Sequence, residues 1–139
     1  MLKPSPLGEV RITMTLNKLT NCEHMFAGCN VLSSLPVMTL HSLTDGRRMF
    51  YGCSVLSSLH VMTLHSLTDG RDMFNGCSVL SSLPVMKLNN LIIGEHMFDG
   101  CVKLSSFHSI TTNSISNLYR MFDGCCELLG LVKVKKRRL

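Results

Sequence analysis

The chain has 139 residues, 45% of them hydrophobic, with seven cysteines, ten methionines and no tryptophan. That length supports one domain (residues 1–139) with a sizeable core and excludes two ordinary ones, and the core must be aliphatic, Met and Phe. The formal charge of +5 sits at one end: Lys133, Lys135, Lys136, Arg137 and Arg138 supply it, leaving nine basic residues against nine acidic ones in residues 1–132, so attraction to phosphate belongs to the tail and not to the body of the chain.

Residues 1–24 open without the apolar run of about 7 to 15 residues that marks a signal peptide. They read as a degenerate first coil, with a strand signal at Met14 and Leu16 and an imperfect cap where Gly8 and Arg11 stand in for Leu. From residue 25 the chain repeats. Met-Phe recurs at 25/26, 49/50, 73/74, 97/98 and 121/122, always 24 residues apart, and Gly-Cys follows in step at 28/29, 52/53, 76/77, 100/101 and 124/125. Residues 25–48 and 49–72 differ at four positions only: Ala27/Tyr51, Asn30/Ser54, Pro36/His60 and Arg48/Asp72. Four such units fill residues 25–120, and residues 121–139 form a partial unit with a basic tail.

Inside a unit, Leu32, Leu35, Met38, Leu40 and Leu43 are apolar. The two-residue step from Met38 to Leu40 marks a short strand, because alternate side chains of a strand share a face. Equivalent steps stand at Met14/Leu16, Met62/Leu64, Met86/Leu88, Ile110/Thr112 and Val134/Lys136, which predicts six strands in one parallel sheet. Thr-Asp-Gly at 44–46 and 68–70 then offers Asp45 and Asp69 as N-caps of a short helical or 3-10 turn, with Asn21 and Asn117 in the same role. Met49, Cys53 and Leu56 share one face of such a turn, and Gly52 with its equivalents ends it in a left-handed conformation. The expected fold is a β-rich solenoid of the α/β repeat class, about six stacked 24-residue coils, in which no coil is stable alone.

The pattern "MFxGCSxLSSLPVMTLxSLTDGRxMF", with its LxxLxL core, resembles the BspA-type leucine-rich repeat over about residues 10–134. The resemblance implies a leucine-rich-repeat solenoid used as a non-catalytic scaffold in surface adhesion or host interaction. It implies a cell-surface or secreted location, while the missing signal peptide leaves a cytoplasmic one open. It brings no catalytic residues and no cofactor.

The candidate binding surface is the outward side of the predicted sheet. When Met38 and Leu40 point in, Val37, Thr39 and His41 point out, and Val61, Thr63, His65, Val85, Lys87 and Asn89 repeat the arrangement. A flat surface of mixed aliphatic and polar character suits a protein or glycan rather than a small molecule, which needs a concave pocket. His41 and His65 stand on neighbouring coils without a third ligand, so no metal site is expected. Five cysteines form one column, at a spacing unsuited to disulfides, and are expected to be buried thiols; Cys22 and Cys126 lie outside it and are expected to be the reactive pair. Near-identical coils do not build the asymmetric environment a nucleophile needs, so no enzyme is expected. The alternative is an intracellular scaffold whose tail, Lys133 to Arg138, contacts nucleic acid or directs localisation. No membrane insertion is expected, and unpaired end strands permit end-to-end self-association.

Overall fold

The computed structural model describes residues 13–15, 18–107, 109–113 and 116–128. The alternation of inward and outward residues produces seven short strands: β1 (Thr13–Thr15), β2 (Val37–Thr39), β3 (Met62–Thr63), β4 (Ser82–Leu83), β5 (Met86–Leu88), β6 (Ser106–Phe107) and β7 (Ile110–Thr112). Every pairing is parallel and offset by one repeat, as in Met14 opposite Met38, Met38 opposite Met62 and Met86 opposite Ile110. Equivalent residues of successive repeats therefore lie side by side.

One continuous sheet does not form. The strands divide into β1-β2-β3, β4-β6 and β5-β7, and β3 lies against β5 without joining its ladder. The sixth strand expected at Val134/Lys136, the cap at Gly8 and Arg11, and the basic tail lie outside the described residues.

The opposite side of each repeat corrects the expected helical turn. A helix closes every N–H onto its own carbonyl four residues back; here the residues before each Met (His24, Arg48, Asp72, His96 and Arg120) have φ from 52° to 60°, which breaks that pattern. Alternate N–H groups then serve different partners. Met49, Tyr51 and Cys53 donate three residues back, to Gly46, Arg48 and Phe50. Gly46, Arg48, Phe50 and Gly52 donate instead to Asp69, Arg71, Met73 and Asn75 of the next repeat, over 2.7 to 2.9 Å. The same four rungs join 22–28 to 45–51, 70–76 to 93–99 and 94–100 to 117–123. At about 0.5–1.5 kcal/mol net per bond, this turn-side ladder supplies the regular inter-repeat bonding that the interrupted strands do not. Among the described residues the only regular helix is a 3-10 turn at Cys126–Leu128.

The expected caps are present, as caps of turns. Asn21, Asp45, Asp69 and Asn117 each accept the N–H two residues on, at 2.9 to 3.1 Å. Arg47 also grips Asp45 through its guanidinium at 2.8 Å and reaches Glu23 of the previous repeat at 3.2 Å. That hydrogen-bonded guanidinium holds the Asp45 carboxyl below the usual carboxylate range.

Core positions follow the period closely. Met49, Phe50, Cys53, Leu56, Leu40 and Leu43 are fully buried, as are Met73, Phe74, Cys77 and Leu80 one repeat on. The Phe rings stack face to face along the axis, with centroids 5.2 to 5.4 Å apart from Phe26 through Phe50, Phe74 and Phe98 to Phe122. In the last described repeat, Thr112 and Ser116 are buried, and the Ser116 hydroxyl donates to the Leu91 carbonyl at 2.6 Å.

All seven cysteines are free. In the column, the thiols of Cys53, Cys77, Cys101 and Cys125 donate to the Phe26, Phe50, Phe74 and Phe98 carbonyls of the preceding repeat at 3.1 to 3.3 Å. Each such carbonyl already accepts a turn N–H, from Cys29, Cys53, Cys77 or Cys101; the thiol uses its second lone pair. Burial pushes the Cys77 thiol up to about 12 and that of Cys125 up to about 11. Cys22 departs from expectation: it is buried, and desolvation with the nearby Asp45 charge raises its pKa. Because the thiolate is the nucleophile, alkylation of the native protein at pH 8 is expected to mark the exposed Cys126 first and to spare Cys22, Cys77 and Cys101 until urea is added; mass spectrometry of the peptides reads the order, and early labelling of Cys77 would contradict the burial.

Candidate functional site

Of the nine candidate residues, Val37, Thr39, Thr63 and Lys87 lie in strands, and His41, Val61, His65, Val85 and Asn89 flank them. Met38, Met62 and Met86 are buried, while Val37, Val61 and Val85 beside them are 48%, 67% and 42% exposed. Thr39 and Thr63 pair directly in register, half-buried. His41 and His65 are exposed, with ring centroids 5.4 Å apart, and Lys87 and Asn89 are exposed.

The structure does not bring these nine together equally. Where β3 and β5 fail to pair, a cleft of about 240 Å³ opens, lined by Val61, Met62, Thr63, Leu64, His65, Val85 and Lys87. Five of the lining residues are sequence candidates; Met62 and Leu64, read as core, are buried, at 5% and 3% exposed. Val37, Thr39, His41 and Asn89 lie outside the cleft's lining. Asn89 belongs instead to a polar network with the neighbouring repeat: its side-chain oxygen accepts from the Thr111 hydroxyl at 3.1 Å, and its carbonyl accepts from the Asn113 amide.

Asn90 is a contributor that sequence reasoning missed. Its side-chain amide donates to the His65 carbonyl, which ties the two repeats together at the end of the cleft. The signal was present, since Ser42 and Ser66 occupy the equivalent positions, and the longer amide at 90 spans the distance to the neighbouring repeat.

The charges are sorted between the two sides of the repeat. All described acidic residues lie on or next to the turn side: Glu23, Asp45, Asp69, Asp72, Glu95, Asp99, Asp123 and Glu127. Arg47, Arg48, Arg71, Lys103 and Arg120 pair with carboxylates there. The strand face carries His41, His60, His65 and Lys87 with no carboxylate among the described residues.

Among the described residues no three His, Cys, Asp or Glu side chains gather as a metal-binding group, and no helix is long and apolar enough to cross a membrane. Lys133, Lys135, Lys136, Arg137 and Arg138 lie outside the described residues. In comparison with known proteins, the family model described as BspA type Leucine rich repeat region matches residues 4–129 in six copies. No curated protein and no solved structure matches the chain.

Proposed function

The chain belongs to the BspA-type leucine-rich repeat family, and from that membership we propose that it is a non-catalytic repeat scaffold that binds a macromolecular partner through its strand face, in surface adhesion or host interaction. The observation that carries this reading is the division of labour within each repeat. Turn residues are consumed in ladder bonds, ion pairs and the Phe and Cys columns, whereas the outward residues of the strand face are exposed or half-buried and make few bonds. Interfaces of this kind favour a firmly held backbone that presents side chains without reorganising.

A photo-crosslinking amino acid placed at Thr39 or Thr63 tests it, with the same probe at Ser54 or Asn75 as the comparison. Crosslinks to one partner from the strand face alone are expected. With that partner in hand, replacing Thr39, His41, Thr63 and His65 together by Ala should abolish binding while the thermal transition stays in place; crosslinks chiefly from Ser54 and Asn75, or affinity unaltered in the fourfold variant, would remove the strand face as the interface.

A further inference from the structure

We propose that the cleft between β3 and β5 receives an extended acidic segment of a partner protein, with an aliphatic side chain against Val61 and Val85 and a carboxylate at Lys87 and His65. This rests on the strand-face reading above and names the chemistry of what that face takes. Three observations converge on it.

The repeat changes at this point. Among the described residues the column across the strands runs Thr15, Thr39, Thr63, Lys87, Thr111, so Lys87 is the one cation there in a row of threonines. On the other strand of the junction, two residues before β3, His60 replaces the proline found at 36 and 84. Departures from a repeated residue set cost regularity, and these two fall at the junction where the ladder is interrupted and the cleft opens.

Lys87 also lacks an internal counter-charge. Each of the five turn-side cations named above meets a carboxylate, but Lys87 meets none among the described residues, and the face around it has no acidic group. A cation next to an apolar cleft attracts an anion that brings its own hydrocarbon, because charge steers the encounter and burial holds the complex. The lining distinguishes peptide from glycan. Val61 and Val85, 67% and 42% exposed, supply aliphatic surface beside the buried Met62 and Leu64, and apart from the His65 imidazole no aromatic ring lines the cleft on which a sugar face could stack. An extended segment places alternate side chains toward the same surface, which matches one apolar contact flanked by carboxylates.

The test uses the full chain and a synthetic peptide of alternating valine and glutamate, followed by calorimetry and by amide shifts in NMR. Binding is expected to perturb Thr63, His65 and Lys87, to weaken as salt is raised, and to fall at least tenfold when glutamate is replaced by glutamine. Lys87→Thr restores the residue of the neighbouring repeats and is expected to keep the thermal transition while losing tenfold or more in affinity; Lys87→Glu is expected to abolish binding. Equal affinity for the glutamine peptide, no binding at millimolar peptide, indifference to Lys87→Thr, or binding of a sulfated glycan in place of the peptide would each overturn the proposal. The crosslinked partner separates the two levels. If it tolerates Lys87→Thr but not the fourfold Ala variant, the cleft assignment fails and the strand face stands; if it tolerates both, both fail.

Discussion

Phe74→Ala is expected to lower the free energy of unfolding by about 3–5 kcal/mol, the cost of emptying a fully buried aromatic site. Phe74 is 0% exposed and its ring lies between those of Phe50 and Phe98, at 5.2 and 5.4 Å with interplanar angles of 10° and 3°. Offset aromatic pairs at such distances are worth about 0.5–1.5 kcal/mol beyond the area they bury, and Phe74 has two of them. The backbone bonds at this residue survive the substitution: its N–H still reaches Met97 O at 2.8 Å and its carbonyl still accepts from Cys77 and Cys101. The loss therefore reports on the ring. Phe26→Ala is the comparison, since Phe26 is half-buried and has a ring neighbour on one side only, and it should cost less than half as much. Urea denaturation followed by circular dichroism measures both; equal losses at 26 and 74 would show that the stack contributes nothing beyond local burial.

The difference between those two sites was already legible in the period. Five Met-Phe-x-Gly-Cys blocks at a spacing of 24 force equivalent side chains into columns, so Phe50, Phe74 and Phe98 had to be neighbours once the units stacked. The same arithmetic located the inward Met38, Met62 and Met86, the outward valines between them, the capping Asp45 and Asp69 and the thiol column, which is buried from Cys53 to Cys125 and half-buried at its first member, Cys29. What the letters did not disclose is where neighbouring backbones bond. His24, Arg48, Asp72, His96 and Arg120 all take a left-handed conformation, although their types differ, none is glycine, and Arg48 and Arg120 are not among the types enriched there. With that position hidden, the stretch from Asp45 to Cys53 reads as a helical turn, when it is a ladder of alternating donors. Cys22 looked reactive because it stood outside the column; only the fold brings it into the core beside Asp45. The cleft was invisible for a related reason. A period says which residues are equivalent, but an interruption between β3 and β5 is a property of one junction, and it shows in sequence only as the small departures at His60, Lys87 and Asn90.

The glycine column sets the second large effect, and here two sites separate strain from packing. Gly28 and Gly76 have φ of +73° and +80°. A valine at either must enter a left-handed conformation that branched residues resist, at a cost of about 1–3 kcal/mol. Their surroundings differ. A Cβ at Gly28 meets nothing within 4 Å, whereas at Gly76 it comes to 3.4 Å from the Gly52 Cα and 3.5 Å from its nitrogen. The two γ-methyls of valine extend further toward that backbone, which is fixed in the turn-side ladder by the Gly52 N–H bond to Asn75 O at 2.7 Å. Overpacking against a held backbone adds another about 1–3 kcal/mol. Gly76→Val is therefore expected to destabilise by the sum of both effects and Gly28→Val by the strain alone. Gly76→Ala should cost least, because alanine is unbranched and its Cβ at 3.4 Å makes only an ordinary van der Waals contact. The order Gly76→Ala, Gly28→Val, Gly76→Val in increasing loss of urea midpoint would place the limit on repeat spacing in the close approach of stacked glycines; equal midpoints for the two valine variants would assign the whole cost to φ and leave the spacing to the Phe column and the ladder bonds.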